Sequence, residues 1–130
     1  TIDEKSAPEM LQMAQDARIR QDFSLAARIY ERLISTWPDS GEAAASMVSL
    51  GKLQLSRLGN PAQALARFDQ YLKRGGALSQ EALYGRAQAL RALSRRADEQ
   101  QALQRFVSEY PGAIETDAAR LRLEELAMPE

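Results

Sequence analysis

Apolar side chains recur three and four positions apart along most of this chain, and short breaks of glycine, proline and polar residues interrupt the rhythm. Such a period lays the apolar residues on one face of a helix. Seven helices are expected. The first runs from about Pro8 to Arg20, the second from about Phe23 to Thr36, and the third from about Ser40 to Leu58, ahead of Gly59. The fourth opens at Pro61 behind Asn60 as N-cap and ends at Gly75-Gly76. The fifth follows Ser79, its candidate N-cap, and runs to about Leu93. The sixth covers about Ala97 to Glu109, and the seventh about Thr116 to Ala127. Proline is tolerated at a helix start, and glycine or a following proline ends one. Nowhere does the alternation of a strand persist, so the fold class is all-α.

The even-numbered helices can be laid over one another. "AARIYERLISTWP" (26–38), "ALARFDQYLKRGG" (64–76) and "EQQALQRFVSEYP" (99–111) align without gaps at shifts of 38 and 35 residues. Tyr30, Phe68 and Leu103 coincide, as do Leu33, Tyr71 and Phe106. Two of the three copies end on an aromatic followed by proline, Trp37-Pro38 and Tyr110-Pro111. A period of this length built from helix pairs predicts a solenoid in which each pair buries its apolar flank against the next.

The register resembles the tetratricopeptide repeat. In the first copy Phe23, Ala26, Tyr30 and Pro38 match the second-helix pattern, with Met10, Met13, Ala14 and Ala17 on the first helix. In the second, Met47, Leu50, Gly51, Ala64 and Phe68 match, with one residue inserted between the halves and Gly76 in place of proline. In the third, Leu83, Ala87, Leu90, Leu103, Phe106 and Pro111 match. There Ser94 replaces the turn glycine, and Glu99 stands where a small residue belongs. The resemblance implies a single domain over residues 1–130, a right-handed superhelix. Its repeats fall at about 7–40, 41–77 and 78–112, with a capping helix at about 114–127. Ala26 and Ala64 are the positions where helix axes must approach closely.

The ending Phe106-x-x-x-Tyr110-Pro111-Gly112, with Ala118-Ala119 and Leu121, is similar to repeat proteins of the bacterial envelope. These include the Tol-Pal-associated and outer-membrane assembly lipoprotein types. That likeness implies a periplasmic location, with a cytoplasmic one as the alternative, and a place within a larger envelope or signalling protein. Separately, a first residue of Thr without a basic-then-apolar leader suggests an excised domain or a processed product.

Composition narrows the chemistry. Histidine and cysteine are both absent, which removes the commonest general base, the commonest metal ligands and any disulfide. Neighbouring carboxylates, Asp3-Glu4, Asp98-Glu99 and Glu124-Glu125, point about 100° apart on a helix and read as solvated faces. Gly59 and Gly75-Gly76 read as helix ends, not phosphate cradles. No apolar run approaches the ~20 residues of a membrane span. The expectation is a non-enzyme with no catalytic, cofactor or metal site.

Charge is uneven. The net is −3 over residues 1–42, +7 over 43–97 and −5 over 98–130. The first helix of each pair should line the concave face. The repeat register puts Gln12, Gln15, Arg18, Ser49, Lys52, Ser56, Tyr84, Gln88 and Arg91 there. A polar groove with positive charge at its middle and far end suits a protein or peptide partner bearing acidic residues. Two other readings stay open. Arg86, Arg91, Arg95 and Arg96 would form a basic edge for nucleic acid. Leu11 and Ile19, apolar residues at the array's end, would pair two copies into a homo-oligomer.

Overall fold

The computed structural model describes residues 5–129, so the Asp3-Glu4 pair lies outside the described residues. Among these residues there are seven α-helices and no strand. They are α1 (Ala7–Ile19), α2 (Phe23–Thr36), α3 (Gly41–Ser56), α4 (Pro61–Arg74), α5 (Ser79–Ala92), α6 (Arg96–Glu109) and α7 (Thr116–Ala127).

Local chemistry sets most of the ends. Ser6 and Glu9 form a capping box at α1, each side chain bonding the other's backbone N–H at 3.3 Å. The Ser6-x-x-Glu9 spacing was in the sequence, and it starts the helix at Ala7, one residue ahead of the start expected at Pro8. Asp22 accepts from the Leu25 amide at 3.3 Å, and Ser40 from the Ala43 amide at 2.9 Å. Of two further expected caps, one keeps its position and the other is corrected. Asn60 holds the N-cap position of α4 but makes no side-chain capping bond. Ser79 is the first helical residue of α5, whose N-cap is Leu78; its hydroxyl turns back to donate to the Gly76 carbonyl at 2.9 Å. Helix α3 stops at Ser56, two residues short of the expected end.

The two corners before proline are built alike. Trp37 sits at φ −127°, ψ 62° and Tyr110 at φ −130°, ψ 60°. Both lie outside the helical region, as the clash between the proline ring and its predecessor requires.

The turn inside each helix pair also recurs. Gln21, Gly59 and Ser94 take left-handed backbone at φ 65°, 59° and 57°. In the first and third turns the Asp22 and Arg95 amides donate to the carbonyls of Ala17 and Leu90, five residues back. In the second, Asn60 reaches Gln54, six back, which is where the sequence carries its extra residue.

Each helix packs on its chain neighbours, and beyond these α1 meets α3 and α3 meets α5. The odd-numbered helices thus line the inner side of an open stack of helix pairs. Ala26 and Ala64 are fully buried, as close axis approach demands. Phe68 fills the wedge between pairs and is pinned from two sides. A Cβ at Gly51 would stand 2.8 Å from its ring, and one at Gly85 2.5 Å. One apolar cluster runs from α1 into α5, and a second joins α5, α6 and α7.

Candidate protein-binding face

The odd-numbered helices carry three adjoining cavities. The first, about 520 Å³, is lined by Arg18, Ser49, Lys52 and Ser56, with Phe23, Val48 and Leu78 beneath. The second, about 420 Å³, shares Lys52 and Ser56 with it and adds Leu55, Phe68, Tyr84, Gly85, Gln88 and Glu115. The third, about 100 Å³, shares Tyr84 and Gln88 with the second and reaches Arg91, Ala118 and Arg122. Seven of the nine residues expected on the inner side therefore border one continuous trough. Gln12 and Gln15 do not line it. Gln12 is engaged along its own helix, donating to the Asp16 carboxylate at 2.9 Å.

The trough is built from side chains on rigid helices. Tyr84, Gln88 and Arg91 lie at i, i+4 and i+7 on α5, so they form a single stripe. Tyr84 is held against Phe106, their ring centroids 5.1 Å apart. At position 85 the repeat has glycine, which opens a pit floored by Leu55 and Phe68 and walled by Tyr84. The sequence register did not single out this pit, although Gly85 between Tyr84 and Arg86 marked it.

The expected charge pattern needs correction. The Lys52 ammonium bridges to the Glu81 carboxylate at 2.9 Å, from α3 to α5. Its field is therefore compensated in the middle of the trough, where an uncompensated positive site was expected. Glu81 lies one turn before Tyr84 on the same stripe and was missed for want of any distinguishing local motif. Arg18 and Arg91 are exposed and have no ion-pair partner among the described residues. The trough's unpaired positive charge thus sits at Arg18 and Arg91.

Most residues of the basic edge have partners of their own. Arg86 donates to Asp69 at 2.7 Å, Arg95 to Asp98 at 2.6 Å, and Arg96 to the Leu126 carbonyl at 3.1 Å. Three of its four guanidiniums thus already have partners within the chain. Of the two apolar residues proposed for self-pairing, Leu11 is half-buried against the core, while Ile19 is 74% exposed.

Glu99 overturns its reading as a solvated carboxylate. It is only 2% exposed, and Arg122 of α7 grips it bidentately at 2.7 and 3.0 Å. Hydrogen bonding to Glu99 holds the Arg122 guanidinium's pKa above its ordinary value. Where earlier pairs put a small alanine, the third puts a carboxylate that reaches the last helix. The register put Glu99 at that buried small-residue position, but its partner lies 23 residues on, in a helix outside the repeat.

Within the described residues no helix is long and apolar enough to cross a membrane. Curated proteins offer no match to this chain. Two family models, both described as Tetratricopeptide repeat, match residues 10–40 and residues 53–114. The first spans the α1–α2 pair and its proline corner; the second runs from the end of α3 through the Tyr110 corner. Matched on both sides of the α3–α4 junction and built from stacked helix pairs, the chain belongs to the tetratricopeptide-repeat family.

Proposed function

We propose that this chain is a non-catalytic scaffold, and that the trough along α1, α3 and α5 binds an extended segment of a partner protein. Repeats of this family generally mediate protein–protein contacts. The observation carrying the proposal is the continuity of the three cavities through Arg18, Lys52, Ser56, Tyr84, Gln88 and Arg91. An apolar pit midway, amide side chains beside it and unpaired guanidiniums at Arg18 and Arg91 suit a peptide with an apolar anchor and acidic neighbours. The domain is read as one unit of three helix pairs, at about 7–40, 41–77 and 78–112, closed by α7.

Support for an envelope setting is the Phe106…Tyr110-Pro111 ending with Ala118, Ala119 and Leu121. On that reading the partner is another envelope or signalling protein, met in the periplasm. Fractionating cells that express the tagged natural gene product tests the setting; recovery in the cytoplasm alone overturns it.

The binding test starts from a partner captured by the intact chain and identified by mass spectrometry. Arg18→Glu with Arg91→Glu should weaken its affinity at least tenfold. The same reversal at Arg28 and Arg105, outside the trough, should leave it unchanged. Equal effects from both pairs, or none from the first, would remove the trough from the account.

A further inference from the structure

We propose that the trough reads a charge order as well as an apolar anchor. The segment it binds carries a lysine or arginine beside the apolar residue that enters the pit at Gly85, and its acidic residues lie further out. The inference rests on the reading that the trough accepts an extended protein segment, and it names the chemistry of that segment.

The charges along the trough do not share one sign. The cavity at its α1 end is bordered by Arg18 and by Arg57, whose guanidinium lies 5.3 Å from the centroid of the Phe23 ring. The cavity at its α7 end is bordered by Arg91, while the Arg122 and Glu99 charges there already meet each other at 2.7 Å. Between the two, the pit is bordered by three charged side chains, Lys52, Glu81 and Glu115. Lys52 and Glu81 form an ion pair at 2.9 Å, so each largely cancels the other's field. Glu115 is left over. Its carboxylate has no hydrogen-bond or ion-pair partner among the described residues, and at the N-cap of α7 it makes no side-chain capping bond. The order is therefore basic, acidic, basic, with the acidic group at the pit.

The pit itself is apolar. Leu55 and Phe68 floor it and Tyr84 walls it, and its volume of about 420 Å³ has room for one large apolar side chain. An acidic residue beside that anchor would meet the like charge of Glu115, whereas a basic one pairs with it. Lysine and arginine suit the place for a second reason. Their aliphatic stems lie along an apolar wall while the cation stays in water at the rim. The Gln80 and Gln88 side-chain amides also border the pit and make no hydrogen bond within the described residues, which leaves them for the peptide groups of the segment. The segment's acidic residues then fall outward, towards Arg18 on one side and Arg91 on the other. A segment that is acidic throughout would be repelled at its own anchor point.

The test probes an array of end-blocked nonapeptides with the full chain. Each peptide has leucine or phenylalanine at its centre, and lysine, glutamate and glutamine are varied through the other positions. Selected peptides are then measured in solution by fluorescence anisotropy. Binding should be strongest with lysine beside the centre and glutamate towards the ends, and exchanging that lysine for glutamate should weaken it at least tenfold. Glu115→Lys should reverse the preference. Glu115→Gln should abolish it while leaving unchanged the affinity for peptides with glutamine beside the centre. Circular dichroism checks the fold of both variants, and the Glu115→Gln result decides alone if Glu115→Lys does not fold. A preference for glutamate beside the centre, a lysine preference that survives in Glu115→Gln, or no binding to any peptide overturns the proposal. If peptide affinity falls in Arg18→Glu with Arg91→Glu yet is indifferent to the residue beside the centre, the trough reading stands and the charge order falls. If the lysine preference depends on Glu115 and those reversals cost nothing, the charge at the pit stands and the reading of the whole trough fails by itself.

Discussion

The two ends of the stack are held by different chemistry. From α1 into α5 the helix pairs close on alanines and a continuous apolar seam, with Ala26, Tyr30, Ala64 and Phe68 fully buried. From α5 to α7 the cluster is smaller, and an ion pair, Glu99–Arg122, joins α6 to α7. The first two pairs bury a flank on the pair that follows, while the third meets the single helix α7. Here the terminal helix is held by a directional, two-pronged bond to a carboxylate in the preceding pair. Apolar seams tolerate small shifts of register. A bidentate guanidinium–carboxylate contact fixes one.

The sharpest way to break this contrast is Arg122→Leu. It strands the buried Glu99 carboxylate and should cost about 3–5 kcal/mol, measured by urea unfolding. Glu99→Leu with Arg122→Leu removes both charges and should recover most of that loss. A double variant as unstable as the single one would mean that helix packing, not the charge pair, had been damaged.

At the apolar end, Ala64→Leu should cost about 1–3 kcal/mol by forcing α4 from its neighbours, and Gly85→Ala a similar amount against the Phe68 ring. An unchanged melting temperature for Ala64→Leu would contradict the repeat register.

Two buried tyrosines give a smaller and opposed pair. The Tyr71 hydroxyl accepts the Leu78 amide at 2.8 Å, whereas the Tyr30 hydroxyl is buried with no hydrogen-bond partner. Tyr71→Phe should destabilise by about 1–2 kcal/mol, and Tyr30→Phe should be neutral or stabilising. Equal losses for both would show that Tyr30 is satisfied by a bound water.

The smallest effect concerns left-handed turns. Ser94 holds the backbone that Gly59 holds in the second turn. Ser94→Gly should therefore raise stability by up to about 1 kcal/mol, the relief of left-handed strain exceeding the added chain entropy. A lower melting temperature for that variant would reverse the argument.

Much of this fold was legible beforehand because it depends on local spacing. The apolar period, the pre-proline corners at Trp37 and Tyr110 and the inserted residue before Asn60 are all near-neighbour signals. The site was half legible. The register carried Ser49, Lys52, Ser56, Tyr84, Gln88 and Arg91 to one trough, because helices stacked in parallel repeat their facing positions. What it missed depends on partners in other helices. Glu81 neutralises Lys52 from across a helix gap, and Arg122 buries Glu99 from outside the repeat. Ser79 had the right type for a cap yet became the first helical residue, while Asn60 caps α4 without a side-chain bond.

The account's central claim is an open stack in which each pair is supported by its neighbours, so that stability is nearly a sum of local terms. Amide hydrogen exchange of the full chain, compared with Arg122→Leu, tests it most directly. The stack predicts faster exchange in α6 and α7, a lesser change in α5, and unaltered protection from α1 to α3. Protection lost equally from α1 to α7 would mean one undivided core, and would contradict it.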